Sequence, residues 1–212
     1  MTICALMLAI LMSAPGTPSV PRVATVGAAA QARSSGCTSW TSRTRPPATI
    51  RLFRMHRRGS SVPARVEVVP FRTYVGRVMA SGAWPAGLPR ESLKVGAIAI
   101  KQYAWWHVLN HQSGYRLRGT CYDIRDGDQY YKGSVHIHSR IKAAVDATWD
   151  VSLRKSGRFF RTGWSGGGRG CGSSYDGWHL PENATTACAR KGWGWKRILH
   201  RYLDPKLRLV VP

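Results

Sequence analysis

Apolar and polar positions alternate or cluster from about Thr49 onward, and this pattern predicts most of the secondary structure. The runs TIRLFR (Thr49–Arg54) and ARVEVV (Ala64–Val69) have strand-like composition and flank a polar turn, so they predict two strands. Pro70 ends the second run. Phe71–Ala80 then carries apolar residues at helical spacing and predicts a short helix.

The strongest helix signal is the segment ESLKVGAIAIKQYAWWHVLNH, which is apolar on nearly every side between Leu93 and Leu109. A helix of that kind belongs in the centre of a domain. Pro89 suits the first helical turn, and Glu91 complements the positive end of the helix dipole. Gly96 weakens helix propensity by about 1 kcal/mol, so its presence predicts that another group packs closely against the helix.

The second half of the chain mixes short helices with a hairpin. Ile141–Thr148 predicts a short helix, and Asp150–Trp164 predicts a hairpin that turns at Ser156-Gly157. Ala184–Lys191 and Trp195–Leu203 predict two terminal helices. Strands and helices without repeats predict an α+β fold in a single mixed domain.

The N-terminus adds a prediction of export. Ile3–Ala14 is an apolar run that is shorter than the ~20 residues needed to span a bilayer, and small residues follow it as in secretory signals. Met1-Thr2 lacks the usual basic residue, and cleavage after either Ala14 or Ala32 fits. We predict a signal peptide over residues 1–32, a basic linker rich in Pro, Ser and Thr over 33–47, and a domain over 48–212. The alternative is an apolar tail that anchors the chain or has no structure.

The charge balance narrows the class of partner. The 212 residues include 32 Lys and Arg against 10 Asp and Glu, which gives a formal net charge of +22. Such a chain is drawn to polyanions, namely nucleic acid, anionic lipid or acidic wall polymers. Export favours a wall polymer and a secreted, wall-associated protein without a transmembrane span in its mature form. A basic nucleic-acid-binding protein is the alternative.

General catalytic motifs are missing from the sequence. It contains no G-x-x-x-x-G-K-[ST], no G-x-S-x-G and no H-E-x-x-H. His136 and His138 have no third ligand nearby in sequence, so we interpret them as surface histidines. We expect neither a cofactor nor a metal ion.

Five segments occur in an order that resembles a known family. They are VEVVPFRTYVGRVMASGAWP, LPRESLKVGAIAIKQYAWW, CYDIRDGDQYYKG, AAVDATWDVSLRKSGRFFRTGWSGGG and GWHLPENATTACARKGWGWKRILHRYL. Together, over about residues 48–204, they resemble the sporulation stage II protein D / amidase enhancer domain family. The resemblance implies peptidoglycan glycan strands as the partner, bound in a groove of the domain. It also implies either lytic transglycosylase activity or a non-catalytic role that stimulates a cell-wall amidase.

The family's catalytic glutamate has no counterpart in this chain. It lies in the loop after the first helix, where this sequence has Gly82 or Ala83. One carboxylic acid suffices for a transglycosylase, because it protonates the glycosidic oxygen and then takes the proton of the sugar hydroxyl that closes the anhydro ring. The remaining candidates for such an acid are Glu91, Asp128 and Glu182. Whether the protein is an enzyme therefore stays open.

Two lines of reasoning nominate glycan-binding residues. Trp84 lies in a loop and Trp164 beside a Gly-rich turn, where indole faces are free to stack on sugar rings. Positions carried over from the family add further groove residues, although Tyr103 fits core packing equally well. The added residues are Lys101, Tyr103, Gln129, Tyr131, Ser165 and Gly166. The carboxylates of Asp123, Asp126 and Asp128 form either a weak cation-binding cluster or a solvated turn.

Four cysteines lie beyond the predicted signal peptide. An even number in an exported protein suggests two disulfides, with buried free thiols as the alternative. Cys171 and Cys188 flank the same Gly-rich turn and terminal helix, so we predict that they pair. Cys37 and Cys121 would then form a bridge that tethers the linker.

Overall fold

The computed structural model describes residue 37 and residues 40–56, 61–110 and 115–212, all within one compact unit, Ser34–Pro212. The predicted signal peptide lies outside the described residues. The helices are α1 (Phe71–Val78), α2 (Arg90–Leu109), α3 (Ser139–Ala147), α4 (Glu182–Arg190) and α5 (Trp195–Leu203). The strands are β1 (Thr49–Arg54), β2 (Arg65–Pro70), β3 (Arg116–Leu117), β4 (Thr120–Cys121), β5 (Ile124–Arg125), β6 (Ser152–Lys155), β7 (Arg158–Phe159), β8 (Gly163–Ser165), β9 (His179–Pro181) and β10 (Leu207–Val210). This mixture confirms the α+β class.

Helix α2 forms the centre of the domain, as its apolar pattern predicts. Most of its side chains are buried, and it contacts α3, α4 and α5 as well as β8. A Cβ atom at Gly96 would lie 2.3 Å from Cγ and Cδ2 of Trp84, so the missing side chain makes room for the indole ring. The predicted close packing at Gly96 is thereby confirmed, and it fixes the loop after α1 against α2.

The N-terminal strands form a small sheet in the order β2-β1-β5. Strands β1 and β2 are antiparallel, whereas β5 runs parallel to β1 and pairs Leu52 with Ile124. Helix α1 follows β2 directly, and Met79–Ala83 continue it as a π-helical turn. This sheet and α1 hold the segment after β5 against the middle of α2.

The predicted hairpin is present but shorter than its sequence pattern. Strands β6 and β7 pair across Ser156 and Gly157, whose φ angles of 51° and 75° suit a two-residue hairpin turn. Strand β8 does not continue the hairpin. It pairs in parallel with β9, and Trp164 lies opposite Leu180. The difference has a physical cause, because 13 residues separate β8 from β9 and local spacing cannot reveal a non-local partner.

Two disulfides join distant parts of the domain. Cys37 pairs with Cys121 over a sequence separation of 84, and Cys171 pairs with Cys188 over a separation of 17. These are the predicted pairs, and they fit an extracytoplasmic location. The described part of the predicted linker also packs on the domain, since Trp105 donates its Nε1–H to the carbonyl of Ser42 at 3.0 Å. Within the described ranges, no helix has the length and apolarity needed to cross a membrane.

Candidate functional site

An open cavity of about 780 Å³ lies beside the middle of α2. Part of the lining comes from α2 and from the segment that follows β5, and the rest comes from the segments that carry β8 and β9. The lining residues are Tyr103, Asp128, Gln129, Tyr130, Arg161, Gly163, Trp164, Ser165, Gly166, Trp178 and His179. The cavity therefore combines aromatic rings with charged and amide groups, as sites for polar ligands do.

Aromatic rings form much of the exposed surface at this cavity. Trp178 is 49% exposed and Tyr130 is 69% exposed. The ring of Trp164 lies 6.2 Å from that of Tyr130 and meets Trp84 edge-on at 5.4 Å. Flat apolar faces with a polar N–H or O–H edge suit stacking on a planar or ring-shaped ligand.

Five of the eight predicted groove residues line the cavity, and the other three do not. Trp84, Lys101 and Tyr131 are at most 1% exposed. Trp84 lies behind Trp164 and fills the space above Gly96. Trp84 and Tyr131 therefore pack behind the lining, whereas Lys101 lies in the core away from it. The lining residues among the eight are Tyr103, Gln129, Trp164, Ser165 and Gly166.

Lys101 has a structural task in the core. Its Nζ donates to the carbonyl of Val151 at 2.8 Å and also to the carbonyls of Thr148 and Trp149. Burial lowers the pKa of Lys101 to about 7. The side chain caps the carbonyls that follow α3 and does not reach the cavity.

Tyr131 belongs to a network that fixes Gln129. Its ring stacks on Tyr74 at 5.4 Å, and its hydroxyl accepts a hydrogen bond from Nη1 of Arg77 at 2.8 Å. Tyr74 donates its hydroxyl proton to Oε1 of Gln129 at 3.0 Å. The side chain of Gln129, which is 1% exposed, is thereby held in one orientation at the cavity wall.

The three aspartates after β4 have separate tasks. Asp123 binds Arg51, with Oδ1 and Nη2 at 2.6 Å, and Asp126 binds Nε of Arg54 at 3.2 Å. Only Asp128 reaches the cavity, where its Oδ2 also accepts the backbone N–H of Arg125. Across the described residues, no group of three or more His, Cys, Asp or Glu side chains is placed to hold a metal ion.

The loop that carries the glutamate in the family does not readily accept a glutamate in this chain. Gly82 is exposed and a Cβ there would meet nothing within 4 Å, but its φ of +119° disfavours any other residue. Ala83 is only 6% exposed. A carboxylate introduced at either position would thus be strained or buried.

The other two acids nominated from the sequence lie outside the cavity lining. Partial burial alone would raise the pKa of Glu91, but hydrogen bonds from Lys94 and from the backbone N–H of Trp195 lower it below its ordinary value. Glu91 thereby joins the first turns of α2 and α5. Partial burial raises the pKa of Glu182, which begins α4.

A carboxylate and a histidine that the sequence reasoning missed meet at the rim of the cavity. Nδ1 of His179 lies 2.6 Å from Oδ2 of Asp176, and because a carboxylate can only accept, Nδ1 is the donor. The other oxygen of Asp176 accepts the backbone N–H groups of Trp178 and His179, each at 2.8 Å. Their D-x-x-H spacing in the sequence was the one available signal, and it is a weak one.

The contacts of Asp176 fix its charge and the position of the imidazole ring. Partial burial alone would raise the pKa of Asp176, but two backbone N–H groups and His179 lower it below its ordinary value, so it stays ionised. The ring of His179 lies on Gly163, where a Cβ would approach Cδ2 to 2.0 Å and Nε2 to 2.4 Å. The glycine is thus required for this ring position.

Arg161 completes the electrostatics of the cavity. Its guanidinium lies 5.6 Å from the ring centre of Tyr103 and 5.3 Å from that of Trp106. Burial first, and then the carboxylate of Asp128, raise the pKa of Tyr103, so the phenol keeps its proton. The lining therefore offers the guanidinium of Arg161, the carboxylate of Asp128, two phenols and the imidazole of His179.

The fold and site define an α+β domain with an open, aromatic-lined cavity. Comparison with known families relates part of this domain to one of them. Residues 61–154 match the family SpoIID, described as stage II sporulation protein. The match confirms, over that segment, the resemblance seen in the sequence. The match indicates a sporulation-related cell-wall protein. No curated protein matches the chain at a significant level.

Proposed function

We propose that this protein acts outside the cytoplasm, binds the glycan strands of peptidoglycan and takes part in cell-wall remodelling. The observation that carries the proposal is a pair of exposed aromatic side chains, Tyr130 and Trp178, in the lining of a cavity of about 780 Å³. Sugar rings present apolar faces that stack on such aromatic groups, and their hydroxyls need the polar partners that the cavity also supplies.

The SpoIID match supports a wall polymer as the ligand in preference to nucleic acid. The matched segment supplies Tyr103 and the residues Asp128–Tyr130 to the cavity. Asp128 carries a negative charge into it, which disfavours a phosphate backbone at that position. The net charge of +22 would then serve attraction to the anionic wall as a whole.

The absence of a carboxylate at Gly82 and Ala83 favours binding over the usual chemistry of the family. A hydrogen atom or a methyl group cannot transfer a proton, and Glu91 and Glu182 do not line the cavity. Glycan binding is therefore the function that the site supports best. A non-catalytic protein that delivers or stimulates a cell-wall amidase is compatible with the same surface.

The test is a binding assay with purified glycan strands. Trp178→Ala should weaken binding about tenfold, the loss expected for one stacked ring. Tyr175→Ala is the matched control, because Tyr175 is 46% exposed but does not line the cavity. A DNA duplex is assayed in parallel at two salt concentrations, because binding to phosphates falls steeply with salt. Glycan binding that is equal in wild type and Trp178→Ala, or a preference for DNA, would contradict the proposal.

A further inference from the structure

The Asp176–His179 pair lies at the cavity and could transfer protons, and binding alone does not require it. His179 lines the cavity and its side chain is 53% exposed, so a ligand can reach it. Its Nδ1 is committed to Asp176, which leaves Nε2 to face a ligand. Histidine is the side chain that both holds and accepts a proton near neutral pH.

The surroundings keep the ring in one position. Asp176 is itself anchored by the N–H groups of Trp178 and His179, and the ring of His179 packs closely on Gly163. A base oriented by a fixed carboxylate is a recurring arrangement in catalysis by proton transfer. A surface histidine that serves only solubility would need neither the carboxylate nor the glycine beneath it.

We propose that His179 is the catalytic acid and base of a glycan-cleaving site in this cavity, that Asp176 positions it, and that Asp128 supports it as an anionic group. The inference rests on the proposed function, since the glycan must occupy the cavity. In this assignment His179, on a different segment of the chain, has the role that the loop glutamate has in the family.

The reaction balances without a co-reactant. The imidazolium form of His179 gives its Nε2 proton to the glycosidic oxygen, and the bond between that oxygen and the anomeric carbon breaks with its electron pair on the oxygen. Nε2 then takes the proton of the O6 hydroxyl of the same sugar as O6 bonds to the anomeric carbon. The products are a free hydroxyl and a 1,6-anhydro sugar, and His179 regains its proton. The carboxylate of Asp128 stabilises the positive charge that develops on the sugar ring.

The experiment measures binding and cleavage on the same purified glycan strands, freed of stem peptides. Wild type should produce anhydro ends, and His179→Gln should lower the rate on the order of 100-fold while binding changes less than about threefold. His136→Gln is the control, because His136 is an exposed histidine that does not line the cavity. Thermal unfolding of each variant checks that the fold is retained.

The role of Asp176 is tested by a measurement that would not change if Asp176 only stabilised the fold. Asp176→Asn keeps an oxygen for the two backbone N–H groups but removes the charge beside Nδ1. It should lower the rate about tenfold or more and change the pH dependence of cleavage. The other titratable or charged groups at the cavity, Tyr103, Asp128, Tyr130 and Arg161, are unchanged in this variant.

The outcomes separate the two proposals. If the wild-type protein does not bind glycan strands, the proposed function is wrong. Binding without anhydro ends in wild type overturns the assignment of His179 and leaves the binding function standing. Cleavage by His179→Gln at the wild-type rate also overturns the assignment, as does a pH profile of Asp176→Asn that equals that of wild type.

Discussion

The matched segment (residues 61–154) and the downstream segment (residues 155–212) build the same cavity in different ways. The matched segment contributes residues held by the core, such as Gln129, which is 1% exposed and fixed by Tyr74. The downstream segment contributes exposed groups, such as Trp178 and His179. The matched segment also supplies the exposed ring of Tyr130, but the pair to which we assign proton transfer, Asp176 and His179, lies in the part that the match does not cover.

Removing either of the two disulfides should have the largest effect on stability, and the two losses should differ. The bridge between Cys37 and Cys121 spans 84 residues and ends in the matched segment, so replacing both cysteines by Ala should lower the free energy of unfolding by about 4–5 kcal/mol. The same change at Cys171 and Cys188, which are 17 apart in the downstream segment, should cost about 3 kcal/mol. Urea unfolding of both double variants measures the difference, and the reverse order would contradict it.

Two glycines beneath aromatic rings should respond differently in the two segments. Gly96→Ala would force its Cβ into the fully buried Trp84, so we expect a loss of about 2–3 kcal/mol in the free energy of unfolding. Gly163→Ala would meet the half-exposed His179, which can turn away, and should cost less than about 1 kcal/mol.

The same two variants should differ in function. The displaced ring of His179 would no longer be held at the cavity, so Gly163→Ala should lower glycan cleavage while its thermal unfolding stays close to that of wild type. An equal loss of stability in both variants would show that the two segments are equally rigid. That result would contradict the difference inferred between the matched segment and the downstream segment.

The smallest expected effect concerns the support of Gln129 and its pH dependence. Burial, followed by the carboxylate of Asp128, raises the pKa of Tyr74 well above 10.0. In the unfolded chain Tyr74 loses its proton at about its ordinary pKa, so its contribution to stability is complete below pH 10 and is lost as the pH rises further. Tyr74→Phe removes the hydrogen bond to Gln129 and should cost about 1 kcal/mol at neutral pH.

The pH series isolates this contribution, because the other tyrosines are shared by wild type and variant. The difference in free energy of unfolding between wild type and Tyr74→Phe should be constant below pH 10 and should shrink above it. A difference that stays constant up to pH 11.5 would contradict the raised pKa of Tyr74.

Local sequence patterns predicted the scaffold well, because its signals are periodic or carried by single residues. The apolar run from Leu93 to Leu109 marks the central helix, and Gly96 marks the close contact on it. Trp164 was identified by its place beside a Gly-rich turn. The same reasoning nominated Trp84, which is buried because its ring fits over Gly96, twelve residues further along the chain. No local pattern states which ring fills that space.

The part of the cavity formed by β8 and β9 could not be predicted, because it depends on the pairing of strands that are not adjacent in sequence. Strands β8 and β9 are joined through a segment of irregular structure, and their parallel register brings Gly163 opposite His179. Neither residue is informative alone, since a glycine in a turn and a histidine near an aspartate are both common. The family resemblance directed attention to the loop at Gly82, which is where the expected acid is missing.

The bridge between Cys171 and Cys188 has a practical consequence for anyone who produces this protein. It ties the segment between β8 and β9, which carries Asp176 and Trp178, to helix α4. A preparation made in a reducing bacterial cytoplasm would lack this bridge as well as the one between Cys37 and Cys121, even where the central helix still packs. Its circular dichroism would then suggest a sound sample, and an inactive result from such a sample would be a false negative. Oxidative secretion, with a thiol count before each assay, is therefore the appropriate route.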